Sequence, residues 1–163
     1  GGVPIWVGSA LAFAVRREFS VLKLGAMFLG AVLVMGWLNL SNDVFDGQTG
    51  VDAEKVESVV RRTGDSGKVL LIANGMLAAG VSILGSLMAY LGDPRIPGLL
   101  GAAIAIGYLY QGPPFRLSFR GLGEPMTVAA FSLSTAAFYL VQATTRTSAP
   151  AGFPPLVVAS CGL

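Results

Sequence analysis

Hydrophobic residues run in long blocks along this chain, and charge interrupts the blocks at intervals. A bilayer core about 30 Å thick needs roughly 20 helical residues at about 1.5 Å each, and that length is the measure for each block. Gly1 to Val15 is uncharged but short, and reads as the second part of a first helix whose exit loop carries Arg16, Arg17, Glu18 and Lys23. A second helix is predicted from about Phe19 to Asp46, uncharged from Leu24 to Asn42. A polar connection from Gly47 to Lys68 follows, with a short interfacial helix over Ala53 to Val60. A third helix covers Val69 to Leu91 and stops at Gly92-Asp93-Pro94. The fourth, Pro97 to Gln111, stops at Gly112-Pro113-Pro114, where two backbone donors are missing in a row. After a loop from Phe115 to Gly123, a fifth helix runs from Glu124 to Thr145, with an acid and a proline in its first turn. Arg146 to Pro155 reads as a loop, and Leu156 to Leu163 as the start of a sixth helix. The pattern predicts an all-α, polytopic transmembrane helical bundle, with Gly75, Gly80 and Gly85 letting helices pack closely.

Composition agrees. Of 163 residues, 53% are hydrophobic and 12% charged, against about 25% charged in an average soluble domain. A net charge of +2, spread along the chain, does not suit nucleic acid. The single Cys161 excludes an internal disulfide, and with no histidine the usual general base and zinc ligand are missing. Basic residues divide too evenly between the two sets of loops to orient the chain in its membrane.

The chemistry concentrates where the second block ends. On a helix, Asn39, Asn42, Asp43 and Asp46 fall at spacings of three and four and share a face. Gly47 and Gly50 then let the chain turn, and Asp52 can fold back toward the same spot. Neighbouring carboxylates repel unless a cation lies between them, and oxygen-only ligands suit a hard ion such as Mg²⁺, which keeps positions for substrate phosphate. Carboxylates near a membrane cost about 2.5–3.5 kcal/mol each at a helix centre and usually mark an ion or substrate path. The group therefore reads as a handle for a diphosphate, with Asp43 and Asp46 as the catalytic pair. Arg61, Arg62 and Lys68 are candidates to clamp the same diphosphate as it leaves. If the diphosphate carries an allylic lipid tail, its loss leaves a carbocation that the faces of Tyr108 and Tyr110 can stabilise; the alternative for both is a membrane-interface anchor. The loop after the fourth helix opens on the same face as the acids, so Arg116 and Arg120 are candidates to capture a carboxylate on an acceptor ring, or else to meet lipid headgroups. Glu124 reads as a helix-start acid.

Asn42-Asp43-Val44-Phe45-Asp46 followed by Asp52 resembles the first Asp-rich motif of the UbiA superfamily of intramembrane prenyltransferases, and Gly50-Val51-Asp52 resembles the spacing in its MenA-type branch. Glu57-Ser58-Val59-Val60 and the long block from Tyr110 to Glu124 are similar to the phylloquinone-pathway members of that branch in plastids and cyanobacteria. The resemblance implies a fold of about nine membrane helices, of which residues 1–163 form one partial domain with five to six. It implies transfer of a phytyl-like prenyl group from its diphosphate to a 1,4-dihydroxy-2-naphthoate-type ring, an aromatic quinone precursor, with Mg²⁺ required. It carries over Asn42, Asp43, Asp46 and Asp52 to the metal and diphosphate and assigns Arg61 and Lys68 to the diphosphate, while Asn39, Tyr108, Tyr110, Arg116 and Arg120 stand as substrate-binding candidates on the reading of the residues themselves. It also implies a plastid membrane, with a bacterial inner membrane as the alternative. The family's second Asp-rich motif does not occur in these residues, so a C-terminal half is expected to be missing, as the shortness of the first block implies for the start of the first helix, and the chain by itself is expected to be inactive.

Three alternatives stand beside this reading. One is a superfamily member acting on homogentisate or chlorophyllide, one a non-catalytic truncated paralogue, and one a transporter subunit. A transporter would carry its acids near the bilayer midplane, in broken helices.

Overall fold

The computed structural model describes residues 2–49, 58–145, 152–155 and 158. Among them the structure is entirely helical: α1 (Val3–Arg16), α2 (Val21–Thr49), α3 (Val59–Thr63), α4 (Ser66–Leu91), α5 (Arg95–Gln111) and α6 (Gly123–Ala143), with a 3₁₀ turn at Leu117–Arg120. Val21–Gly47, Ser66–Leu91 and Gly123–Ala143 are long and apolar enough to cross a membrane. α5 has 17 residues, and α1 is a shorter apolar helix.

Among the described residues the first five expected membrane blocks are present, with shifted ends. α2 continues one turn past Asp46, and α5 begins two residues before Pro97 because Pro94, in helical conformation, starts the turn. A short connecting helix stands at Val59–Thr63, where Ser58 caps it by accepting from Arg61 N at 3.2 Å; residues 53–57 of the anticipated interfacial helix lie outside the described residues. Residues 50–57, and with them Asp52, lie outside the described residues, as does most of the anticipated sixth helix.

α2 packs along α4, while α6 takes α5 on one side and α1 on another. Glycine makes two of these contacts possible. A side chain at Gly80 would meet Gly30 O at 3.0 Å, and one at Gly8 would stand 2.7 Å from Tyr139 N. Of the three glycines expected to bring helices together, only Gly80 does so; Gly75 and Gly85 face open space. Ile5, Met27, Leu84, Ile96, Tyr139 and Leu140 belong to the shared core. Outside it, Leu22, Leu71 and Val128 are 85%, 73% and 64% exposed. Large apolar residues on the outer surface of long apolar helices are the pattern of an integral membrane protein, whose solvent is lipid.

The helices sort the loops to two ends. At one end, Gln142 ties α6 to the turn before α2: its Oε1 accepts from Ser20 N at 3.0 Å and its Nε2 donates to Ser20 O at 3.2 Å. Asp93, held by Arg95 through bonds of 2.9 and 2.7 Å, opens α5 at that same end. The opposite end carries the C-terminus of α2, α3 and the loop between α5 and α6.

Candidate functional site at the end of helix α2

α2 runs unbroken through its acidic turns, so Asn39, Asn42, Asp43 and Asp46 lie on one stripe, as their spacing requires. The two carboxylates are held apart by different partners. Asp46 Oδ2 accepts from Asn42 Nδ2 at 2.9 Å, a pair one helical turn apart. Asp43 Oδ2 accepts from Ser58 Oγ and from Val60 N, both at 3.0 Å. The carboxylate of Asp43 therefore fastens the start of α3 to α2, and Ser58, which caps α3, is the hinge of that contact. Asp46 is 7% exposed and Asp43 half-buried.

The loop after α5 closes over the same turns. Arg116 Nη2 donates to Phe45 O at 2.8 Å, placing a guanidinium beside the acidic stripe. Gln111 Nε2 donates to Leu38 O at 2.6 Å and to Ser41 Oγ at 2.9 Å. Gln111 thus fixes the end of α5 against α2 one turn before the acids. Arg116 itself takes the left-handed conformation, φ 43°, which is uncommon for a residue with a side chain. The expectation that the two loops share a face agrees with these contacts.

The remaining candidates separate. Tyr110 lines a cavity beneath the acidic turns. Tyr108 instead turns its hydroxyl to Pro113 O at 2.7 Å, and its ring leaves no room for a side chain at Gly112, where a Cβ would fall 2.6 Å from Cε2. Tyr108 braces the Gly-Pro-Pro turn. Arg120 is exposed at the end of the 3₁₀ turn, and Arg61 is exposed in the last turn of α3. Lys68 pairs with Asp65, the N-cap of α4, at 3.1 Å. The Lys68 backbone amide, and then its side chain, hold the Asp65 carboxyl below its ordinary range.

The cavity has a volume of about 280 Å³. Asn39, Tyr110 and Gln111 stand at its polar mouth, and apolar residues of α2, α4, α5 and α6, such as Met35, Leu84, Ile104 and Phe131, form its walls. From Asn39 down α2 to Ala31, and from Gln111 down α5 to Leu100, the depth is about 12–16 Å at helical rise. The mouth of the cleft at Asn39 thus lies one helical turn before Asp43 on the same stripe of α2.

Does the stripe suit a divalent cation? Among the described residues no three Asp, Glu, His or Cys side chains converge on one point. Mg²⁺ does not require this: one or two carboxylates, with water and substrate phosphate in the other positions, are its usual shell. Both described bonds to Asp43 fall on Oδ2, leaving Oδ1 for a ligand among the described contacts. Since Asn42 donates its nitrogen to Asp46, its carbonyl oxygen remains an acceptor. The donor set fits.

Ser58, Ser41 and Gln111 carry roles that sequence spacing did not assign. A serine just before Val59-Val60 is a capping signal, and a carboxamide at the end of an apolar helix signals a polar partner nearby. Neither signal names the partner, which lies on another helix.

Comparison with known proteins agrees with the geometry. The chain is 45% identical over 141 residues to 2-carboxy-1,4-naphthoquinone phytyltransferase of Synechocystis sp., a match covering 86% of this chain and 46% of that protein. It is 44% identical over 140 residues to the chloroplastic 2-carboxy-1,4-naphthoquinone phytyltransferase of Arabidopsis thaliana, covering 85% of this chain and 37% of that protein. The chain therefore spans less than half the length of these relatives. No solved structure matches it. The UbiA prenyltransferase family matches residues 2–162, and the chain belongs to that family.

Proposed function

We propose that this chain contributes the first diphosphate-binding motif and part of the tail cleft to an enzyme that moves a phytyl-like prenyl group from its diphosphate to a naphthoate-type aromatic ring in quinone biosynthesis. The observation that carries the reading is an apolar cleft whose mouth, at Asn39, lies on the acidic stripe of α2 one turn before Asp43. A prenyl diphosphate has the same two parts in the same order. Asn42, Asp43 and Asp46, with Asp52, would hold Mg²⁺, which when bound neutralises the diphosphate and makes it a better leaving group, and Asn39 at the mouth of the cleft would meet the substrate.

The residues of the chain then have distinct tasks. The cleft takes the tail and keeps water from the allylic carbon. The carbon–oxygen bond to the diphosphate breaks with its electron pair leaving on oxygen, and Arg116 at the rim offsets the charge that accumulates there. Tyr110, at the mouth of the cleft, presents its ring to the allylic cation. The electron-rich hydroquinone form of the acceptor attacks that carbon. A carbon–carbon bond forms, and the ring regains its electron pair by losing a proton to the departed diphosphate or water, or its carboxylate as CO₂, from the attacked position. Arg120 and Arg61 are exposed on the same rim, where an acidic ring or diphosphate approaches, while Lys68 acts through its cap on α4. The two named relatives, one cyanobacterial and one chloroplastic, support a plastid membrane, with a bacterial inner membrane as the alternative.

The test is prenyl transfer by the full-length protein in nanodiscs, with phytyl diphosphate and dihydroxynaphthoate. Mg²⁺-dependent product in wild type that is lost in Asp46→Asn is the expected result. Transfer to homogentisate or chlorophyllide alone would move the protein to another branch of the family. Product that persists in EDTA and in Asp46→Asn would refute the role given to the acidic stripe.

A further inference from the structure

The cleft does not end in the core. A second cavity, of about 500 Å³, lies between the C-terminal half of α4 and the N-terminal half of α5. Leu84, Leu100 and Ile104 line both spaces. They are the material that divides one from the other. Leu84 and Leu100 are 4% and 5% exposed. Leu84 is pinned from behind by α2, since its Cγ lies 2.6 Å from where a side chain on Gly30 would begin. The second cavity then continues from Leu84 to Gly92 along α4, about another 12 Å at helical rise. Its walls include Gly85, Met88 and Gly101, and it reaches Asp93 and Pro94 at the far end of the bundle.

We propose that Leu84, Leu100 and Ile104 form a wall that limits the length of the prenyl tail the cleft accepts. This rests on the transfer reaction proposed above and specifies its donor. With the wall in place the tail has about 12–16 Å of path along the cleft from the polar mouth. With the wall opened, that path runs on into the second cavity for nearly the thickness of the bilayer core, about 30 Å, and the volume of the groove more than doubles. A tail longer than the walled cleft must fold back or leave into lipid, losing buried apolar contact at each further isoprene unit.

Glycine supplies the control. A side chain on Gly85 or Gly101 meets nothing within 4 Å, so a leucine there would fill the second cavity and shorten the path again without touching the wall.

The experiment compares phytyl diphosphate with solanesyl diphosphate, a much longer tail, on the full-length protein in nanodiscs. The readout is the ratio of kcat/KM for the two donors in wild type, Leu100→Ala, Ile104→Ala and Leu100→Ala/Gly101→Leu. Binding of each diphosphate, measured by titration, gives the same ratio independently of turnover. Wild type is expected to favour phytyl. Either single variant should raise the long-to-short ratio by at least about tenfold, equivalent to about 1.4 kcal/mol, and the double variant should bring it back. Equal use of both tails by wild type overturns the proposal. So does an unchanged ratio in the single variants, or a double variant that still accepts the long tail. Two single variants are used so that misfolding of one leaves the other to decide. Absence of transfer by wild type would count against the reaction itself, while the binding ratio still decides the wall.

Discussion

Ser58→Ala separates the two tasks given to Asp43, that of fastening α3 and that of serving the diphosphate. Ser58 Oγ donates to Asp43 Oδ2 at 3.0 Å and accepts from Arg61 N at 3.2 Å. Losing the cap costs about 1 kcal/mol. The bond to the carboxylate would add about 1.5–3 kcal/mol if fully shielded, but both residues are only half-buried, and Val60 N still donates to Asp43 at 3.0 Å. The sum is about 1–2 kcal/mol, a factor of about 5–30 in the local opening equilibrium. α3 has five residues and buries none of them, so it opens on its own while the bundle stays folded. Hydrogen exchange on the full-length protein in nanodiscs should show the amides of Val60, Arg62 and Gly64 exchanging about 5–30-fold faster, with α4 from Val69 onward unchanged. Asp43→Asn keeps an oxygen that can accept from Ser58 and Val60 but removes the charge. It should loosen α3 less than Ser58→Ala does and reduce Mg²⁺-dependent transfer more. If Ser58→Ala leaves α3 equally protected, the tether is not what holds it. If Asp43→Asn frees α3 yet transfers normally, the carboxylate serves only the fold.

Asn42→Ala removes one partner of Asp46 and should raise the Mg²⁺ concentration needed for half-maximal transfer about 10–100-fold; an unchanged requirement would detach Asn42 from the metal site. Gly80→Ala drives a methyl to 3.0 Å from Gly30 O and 3.1 Å from Leu33, an overpacking worth about 1–3 kcal/mol. It should lower the melting temperature, whereas Gly75→Ala, with open space around it, should not. Arg95, by its side-chain hydrogen bonds first, holds the Asp93 carboxyl below its ordinary range. A carboxyl with a depressed folded pKa stabilises the fold above the unfolded value of about 3.9 and loses that contribution as pH falls through the folded value. The melting-temperature advantage of wild type over Asp93→Asn should therefore be full near pH 6 and shrink below about pH 4. A gap that stays constant would assign it to packing alone.

The helices and the acidic stripe were legible in the sequence because both depend on spacing within one element. Uncharged length measured against the bilayer identified the blocks, and intervals of three and four residues aligned Asn39 with Asn42, Asp43 and Asp46. The Pro-Pro turn marked the end of α5 for the same local reason. The partners were not legible, since nothing near Asp43 says that its oxygen will cap α3 across the connection. Tyr108 and Tyr110 look alike in sequence but rotate about 200° apart at 100° per residue, so one braces a turn and the other faces the cleft. The same limit applies to Gly75, Gly80 and Gly85, where only the neighbour's approach decides which glycine is needed.

The cleft marks the boundary between local and non-local information most sharply. At its polar mouth, Asn39 belongs to a stripe that spacing selects, while its floor is made by Leu84 and Leu100, two leucines among many in apolar helices. What distinguishes them is that α4 and α5 touch little, so a gap opens between these helices wherever no side chain bridges it. Leu84, Leu100 and Ile104 bridge it at one level, and Gly85, Gly92 and Gly101 leave it open at the next. On the proposed reading, chemistry at the mouth and tail length at the floor would be set by different residues on different helices. Substitutions at the floor would then alter which donor is used while Asn39, Asp43 and Asp46 keep their geometry, because the upper turns of α2 lie between.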